Sequence, residues 1–204
     1  MTSDWSITKP SSSNNLNRNV IIGTGLGILS SALVLTKGKL KTLPKMSYGV
    51  KEVMGLCTGS TVGGYIGANL TTKDNFKGRT LEIKNELIFN DFIPLMILSA
   101  ADKFIKTKNK LAKSIALAGT LLGATIISHK IGEKVLEKKG YKNNYPVKAC
   151  HLLADFDDFL LPIAIATNSR LLQQFLKIIS PITFAPLGFN VGTTKDSKYI
   201  DTKV

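Results

Sequence analysis

Residues 55–67 read "GLCTGSTVGGYIG", with glycine at every fourth position, Gly55, Gly59, Gly63 and Gly67, and Gly64 beside the third. On an α-helix a step of four residues advances about 400°, so these positions form one nearly straight groove that carries no side chains. In water each such glycine costs a helix roughly 1 kcal/mol relative to alanine. In lipid the backbone must hydrogen-bond to itself, which enforces the helix, and the bare groove lets a second helix approach closely. The regular spacing and the absence of turn residues between the glycines favour this packing surface over a flexible loop between strands.

The rest of the chain has the same texture. It has 204 residues and a formal net charge of +13, and 20% of its residues are charged. Its mean hydropathy is nevertheless mildly positive, so charges and apolar residues must be segregated. Apolar stretches run roughly over 20–35, 53–70, 86–101, 111–128, 150–167 and 171–190, and nearly all lysines lie between them. Most stretches are about 15 to 18 residues long, short of the roughly 20 that cross a bilayer comfortably. Lysine-rich flanks can snorkel and a bilayer can thin locally, which makes short spans tolerable. The expectation is an all-α, polytopic integral membrane protein of about six short apolar helices over residues 20–192. Polar tails at 1–19 and 193–204 are expected to be loose, without a signal peptide.

The positive charge admits two partners. Nucleic acid is one, through counterion release. The lysines, however, sit in short connections such as "TKGKLKTLPK" (36–45) and "DKFIKTKNKLAK" (102–113), flanking apolar stretches and without any nucleic-acid motif. Anionic lipid headgroups fit that placement better. For six crossings the lysines and arginines divide 15 to 12 between the two sides, which leaves orientation open. Cys57 and Cys150 lie inside apolar stretches and match neither a disulfide framework nor a zinc pattern.

Glycines recur at short steps in "AGTLLGATIISHKIG", with Gly119, Gly123 and Gly132, and in "GTGLGILSSA", with Gly23, Gly27 and Ser31. Setting "GSTVGGYIGANL" over "ATIISHKIGEKV" aligns Ile66 and Gly67 with Ile131 and Gly132. Setting "FNDFIPLMILSAADKF" over "FDDFLLPIAIATNSRL" aligns Phe89, Asp91 and Phe92 with Phe156, Asp158 and Phe159. These offsets, 65 and 67, predict an internal duplication of a two-helix unit, copy one at about 49–106 and copy two at about 111–172. Each unit is a glycine-rich helix, a basic loop of about 15 to 20 residues, and a helix opening on Phe-Asx-Asp-Phe. Parallel repeats of this kind imply a pseudo-twofold axis along the membrane normal. Gly55, Gly59, Gly63, Gly67, Gly119 and Gly123 are the expected helix-packing positions.

Chemistry has few places to reside. In "HLLADFDDFLLP" a helix would put His151, Asp155 and Asp158 at i, i+4 and i+7, one face able to hold a cation or relay protons. Copy one offers only Asp91 in return, with Lys84 opposite His151 and Ile88 opposite Asp155, so the internal symmetry supports paired aspartates and leaves a metal undecided. Asp91 and Asp158 each precede a proline, Pro94 and Pro162. Either they sit at breaks in discontinuous helices and form a polar site, or each caps a helix whose first turn tolerates proline. His129 reads as interfacial, and Pro181 and Pro186 predict a kinked or re-entrant last segment. Phosphate-binding, dinucleotide, zinc-protease and serine-hydrolase motifs are missing from the chain, so no enzymatic activity and no cofactor are expected.

These features point to a cation or proton transporter-like or channel-like protein. A non-catalytic structural or assembly subunit of a membrane complex is the alternative, and a soluble helical protein binding anionic surfaces is the third reading. In the first two, the bilayer with anionic lipids is one partner, and a second copy or a membrane-complex subunit is another.

Overall fold

The computed structural model describes residues 12–39, 48–143 and 156–201. The described chain is helical apart from a two-stranded antiparallel ribbon, β1 (Tyr141–Asn143) with β2 (Tyr199–Asp201). In order the helices are α1 (Ser12–Leu35), α2 (Val50–Thr71), α3 (Phe76–Asn85), a π-helical segment (Glu86–Phe92), α4 (Ile93–Phe104), α5 (Lys110–Lys138), α6 (Phe156–Thr167) and α7 (Arg170–Thr193).

The glycine-rich stretch is helical, and its glycines lie against another helix. A methyl group placed on Gly59 would collide with the Ser31 hydroxyl and the Gly27 carbonyl, and one on Gly63 with the Gly23 carbonyl. One on Gly67 would meet the Asn19 carbonyl, and one on Gly55 would lie 3.1 Å from Leu35 Cδ1. The partner numbers fall as the α2 numbers rise, so α1 and α2 run antiparallel with their main chains in contact. The other side of α2 accepts α7 in the same manner, with Gly64 against the Gly188 carbonyl and Gly188 against Ser60.

Around this three-helix core a second layer packs through larger side chains. Leu98 of α4, Leu117 of α5 and Leu176 of α7 are fully buried and share one apolar cluster with Leu56, Leu161 and Phe184. The outward faces are apolar and the interior holds hydroxyls. Ile21, Ile115, Ile127, Ile178 and Ile182 are 60–69% exposed, whereas Ser60, Thr61, Ser128 and Ser180 are completely buried. Among the described residues three helices are long and apolar enough to cross a membrane, Asn14–Leu35, Lys110–Lys138 and Arg170–Thr193, and a count of six crossings is not confirmed. The 12 residues of α6 span only about 18 Å of a hydrocarbon core near 30 Å, and glycine, serine and threonine dilute the apolarity of α2.

Several expectations are corrected. Residues 12–19 are helical, and Asn19 Nδ2 donates to Thr71 Oγ1 at 3.0 Å, joining α1 at that point to the end of α2. The basic loop expected after the glycine-rich helix is largely α3. The C-terminal stretch is docked on α3, where Asp196 Oδ1 accepts from the Gly78 amide at 2.6 Å. Pro181 and Pro186 do not interrupt α7. The Ser60 hydroxyl donates to the Phe184 carbonyl at 2.5 Å and accepts from the Gly188 amide at 3.2 Å, bridging the ladder on either side of Pro186. Gly119 and Gly123, expected to pack helices, have nothing within 4 Å where a side chain would go, because they face away from the bundle. The two proposed repeat units also pack differently, α2 mainly on α1 and α7 and α5 mainly on α4 and α6.

The two kinds of glycine separate experimentally. Gly63→Leu is expected to lower the unfolding free energy by about 3 kcal/mol or more, the upper end for overpacking, because backbone rather than side chain must yield. Gly119→Ala is expected to raise it by up to about 1 kcal/mol through helix propensity alone. Denaturant unfolding in detergent micelles, followed by circular dichroism, measures both.

Candidate functional site

From Phe76 to Phe104 the chain is one continuous helix whose middle, Glu86–Phe92, is π-helical. Pro94 supplies the reason. It has no amide to offer the Asn90 carbonyl four residues back, and its ring crowds that carbonyl. The wider turn relieves the crowding, and the Ile93 amide bonds instead to the Ile88 carbonyl, five residues back. Single π turns inside α-helices are frequent at functional sites. Asp91 therefore sits inside a helix and is neither at a break nor at an N-cap.

The widened turn fits against α5 at Gly132. A methyl there would lie 2.9 Å from Asn85 Oδ1 and from the Phe89 ring, so only glycine admits the approach. Glu82, Asn85 and Glu86 are buried, at 2%, 8% and 6% exposed. Glu82 is paired, its two carboxylate oxygens lying 2.7 and 2.6 Å from Lys198 Nζ. Glu86 begins a chain of polar side chains. Asn90 Nδ2 donates to Glu86 Oε2 at 2.8 Å, Asn90 Oδ1 lies 3.4 Å from His129 Nδ1, and His129 Nε2 lies 3.5 Å from Glu133 Oε1. Glu133 is half-exposed, so the chain links a buried carboxyl to the surface. Asp91 leaves the same turn towards α2, where its Oδ2 accepts from the Cys57 thiol at 2.7 Å.

Below this turn the Arg79 guanidinium is 1% exposed and donates to the carbonyls of Thr72 at 2.8 Å and Asp74 at 2.5 Å. Burial pulls its pKa below the ordinary arginine value, while Asp196, Tyr65 and Asp74 push it back up. Arg79 thus ties the α2–α3 connection to the foot of the site.

Of the residues singled out in the sequence, Asp91 is in this arrangement. Asp158 is placed in the first turn of α6, and His151 and Asp155 lie outside the described residues. Among the described residues no group of three or more His, Cys, Asp or Glu is arranged to hold a metal ion. Glu82, Glu86, Asn90 and Glu133 were missed, and His129 was read only as interfacial. A signal existed. Glu82, Glu86 and Asn90 stand four apart in a chain whose charged residues are mostly basic, which places them on one helical face.

Lys198 lies 116 residues beyond Glu82, so their pairing tests the assembled site. Glu82→Gln and Lys198→Met are each expected to destabilise the fold, Lys198→Met the more, since it removes a cation from a carboxylate that is almost fully buried. The double variant is expected to recover part of that loss in a double-mutant cycle read by denaturant unfolding. Equal and additive losses would mean the pair is not formed. No protein-family model matches this chain, and no curated protein or solved structure is significantly similar to it.

Proposed function

We propose that this is an integral membrane protein that conducts protons or a small cation past the ionisable groups Glu86, His129 and Glu133, with Asn90 positioning the Glu86 carboxyl and Asp91 beside it. The observation that carries the reading is the buried carboxyl of Glu86 linked by side-chain contacts to the half-exposed Glu133. Ionisable groups inside an apolar bundle are expensive to bury, and they mark ion and proton pathways. Imidazole can take up a proton on one nitrogen and release one from the other, which suits His129 to the middle of such a chain. The apolar outer face and the three long helices support residence in a bilayer. In this reading α1, α5 and α7 cross the membrane, and the more polar α2, the α3–α4 helix and α6 line the interior. The likeness in sequence of Phe89–Phe92 to Phe156–Phe159 supports Asp158 as a second acid on the pathway.

One observation favours a second reading, an assembly subunit without a pathway. Gly119 and Gly123 form an open strip on α5, flanked by exposed Ile115, Leu122 and Ile126. Such a strip suits close approach by a helix from a second copy or another subunit.

Alkaline carbonate washing and flotation come first, and retention in the floated membrane is expected. Purified protein in liposomes holding a pH-sensitive dye is then expected to dissipate an imposed pH gradient or cation gradient. Glu86→Gln is expected to slow this by about tenfold or more, equivalent to about 1.4 kcal/mol in the barrier, with helix content unchanged. Liposomes no leakier than empty ones would sink the pathway. Gly123→Leu dissociating an oligomer on native gels, in the absence of flux, would establish the second reading.

A further inference from the structure

We propose that the groove between α5 and α6 seats an acyl chain of an anionic phospholipid, with Lys110 holding the phosphate at its mouth. This rests on the membrane reading above but not on the acidic chain. The groove has a volume of about 430 Å³ and is walled by Leu111, Ile115, Ala118 and Ile163, with Lys110 and Thr167 at one end. Its hydroxyls are turned inward to their own helices. Ser114 Oγ donates to the Lys110 carbonyl at 2.9 Å and Thr167 Oγ1 to the Ile163 carbonyl at 2.6 Å. The walls therefore offer a polar ligand little to bond, and they suit hydrocarbon.

The mouth has the opposite character. Lys110 Nζ is held 3.5 Å from the Thr167 carbonyl, and the last turn of α4 exposes Lys103 and the connection after it Lys106 and Lys108. The acid nearest in sequence, Asp102, is already engaged by Lys113 at 2.7 Å. Because Lys110 begins a helix able to cross a membrane, the cationic mouth falls at an end of the span, where lipid phosphates lie. Charge at the mouth and hydrocarbon along the wall match the two parts of one anionic phospholipid. The larger groove between α1 and α2, about 690 Å³, has no cation among its lining residues, so the same argument does not extend to it.

Native mass spectrometry of the full chain tests this after incubation with phosphatidylglycerol or phosphatidylcholine micelles. The wild type is expected to retain phosphatidylglycerol in preference. Lys110→Gln and Lys108→Gln are each expected to weaken retention about fivefold, the factor for one surface lysine near anionic lipid. Ala118→Leu, which fills the groove and leaves every charge in place, is expected to abolish it. Equal retention of the two lipids, or unchanged retention by Ala118→Leu, overturns the proposal. So does cross-linking of two copies through Ile115→Cys, which assigns the groove to a second chain. Recovery of the protein in the carbonate supernatant removes the membrane reading itself, whereas failure of lipid selectivity in a membrane-retained protein removes only this site.

Discussion

The contact of main chain with main chain between α1 and α2 is the constraint on which the other packing depends. Gly23, Gly27, Gly59, Gly63 and Gly67 have no side chains, so the two helices close until carbonyls meet α-carbons. Dispersion attraction is short-ranged and accumulates over many atoms, so such closeness converts weakly apolar residues into a tight interface. It also fixes register, because four-residue spacing on both helices lets them mesh only at steps of a turn. With one side of α2 occupied in this way, its opposite side, carrying Ser60 and Gly64, is left to take α7.

Ser60 shows how one residue serves two levels of structure. Its hydroxyl joins α2 to α7 and also supports the ladder of α7 near Pro186, where a backbone donor is missing. Gly132 has a similar double use on α5. By giving no side chain it admits Asn85 and Phe89, and so allows the π turn imposed by Pro94 to pack closely on α5. A lost backbone donor in one helix is thus answered by a lost side chain in another. Of the acids buried here, Glu82 is paired with Lys198 and Glu86 accepts from Asn90, as burial requires.

The distribution of polarity ties this architecture to its proposed activity. Hydroxyls, Arg79, Glu82 and Glu86 are inside, while isoleucine and leucine line much of the outside. Such an arrangement is unfavourable in water and favourable in lipid, where the outer residues meet hydrocarbon and the inner polar groups have only one another. A chain of acid, amide, imidazole and acid runs from buried Glu86 through Asn90 to His129 and Glu133, whose side chains reach the surface. The docked C-terminal segment adds Lys198, which neutralises Glu82 and leaves Glu86 next to an already compensated neighbour.

Much of the helical layout was legible along the chain. The glycine period at 55–67 identified a helix and its packing face, and the apolar stretches coincide with helices wherever the structure describes them. Period and hydropathy are local properties, and a single sequence displays them directly. Partnership is not local. Gly119 and Gly63 look alike in sequence, yet one faces open space and the other a carbonyl of α1, because only the assembled bundle determines which faces meet. The site was hidden for the same reason. Asp91 stood out because of Pro94, but Glu86 acquires its role from His129 on α5 and Glu82 from Lys198 near the far end of the chain. Residue type and spacing thus determined the apolar helices and which residues are polar, while the helical turns at 12–19 and the helix α3 were not legible. Tertiary structure decided which polar residues are buried together, because burial and pairing arise only from surfaces that distant segments bring into contact.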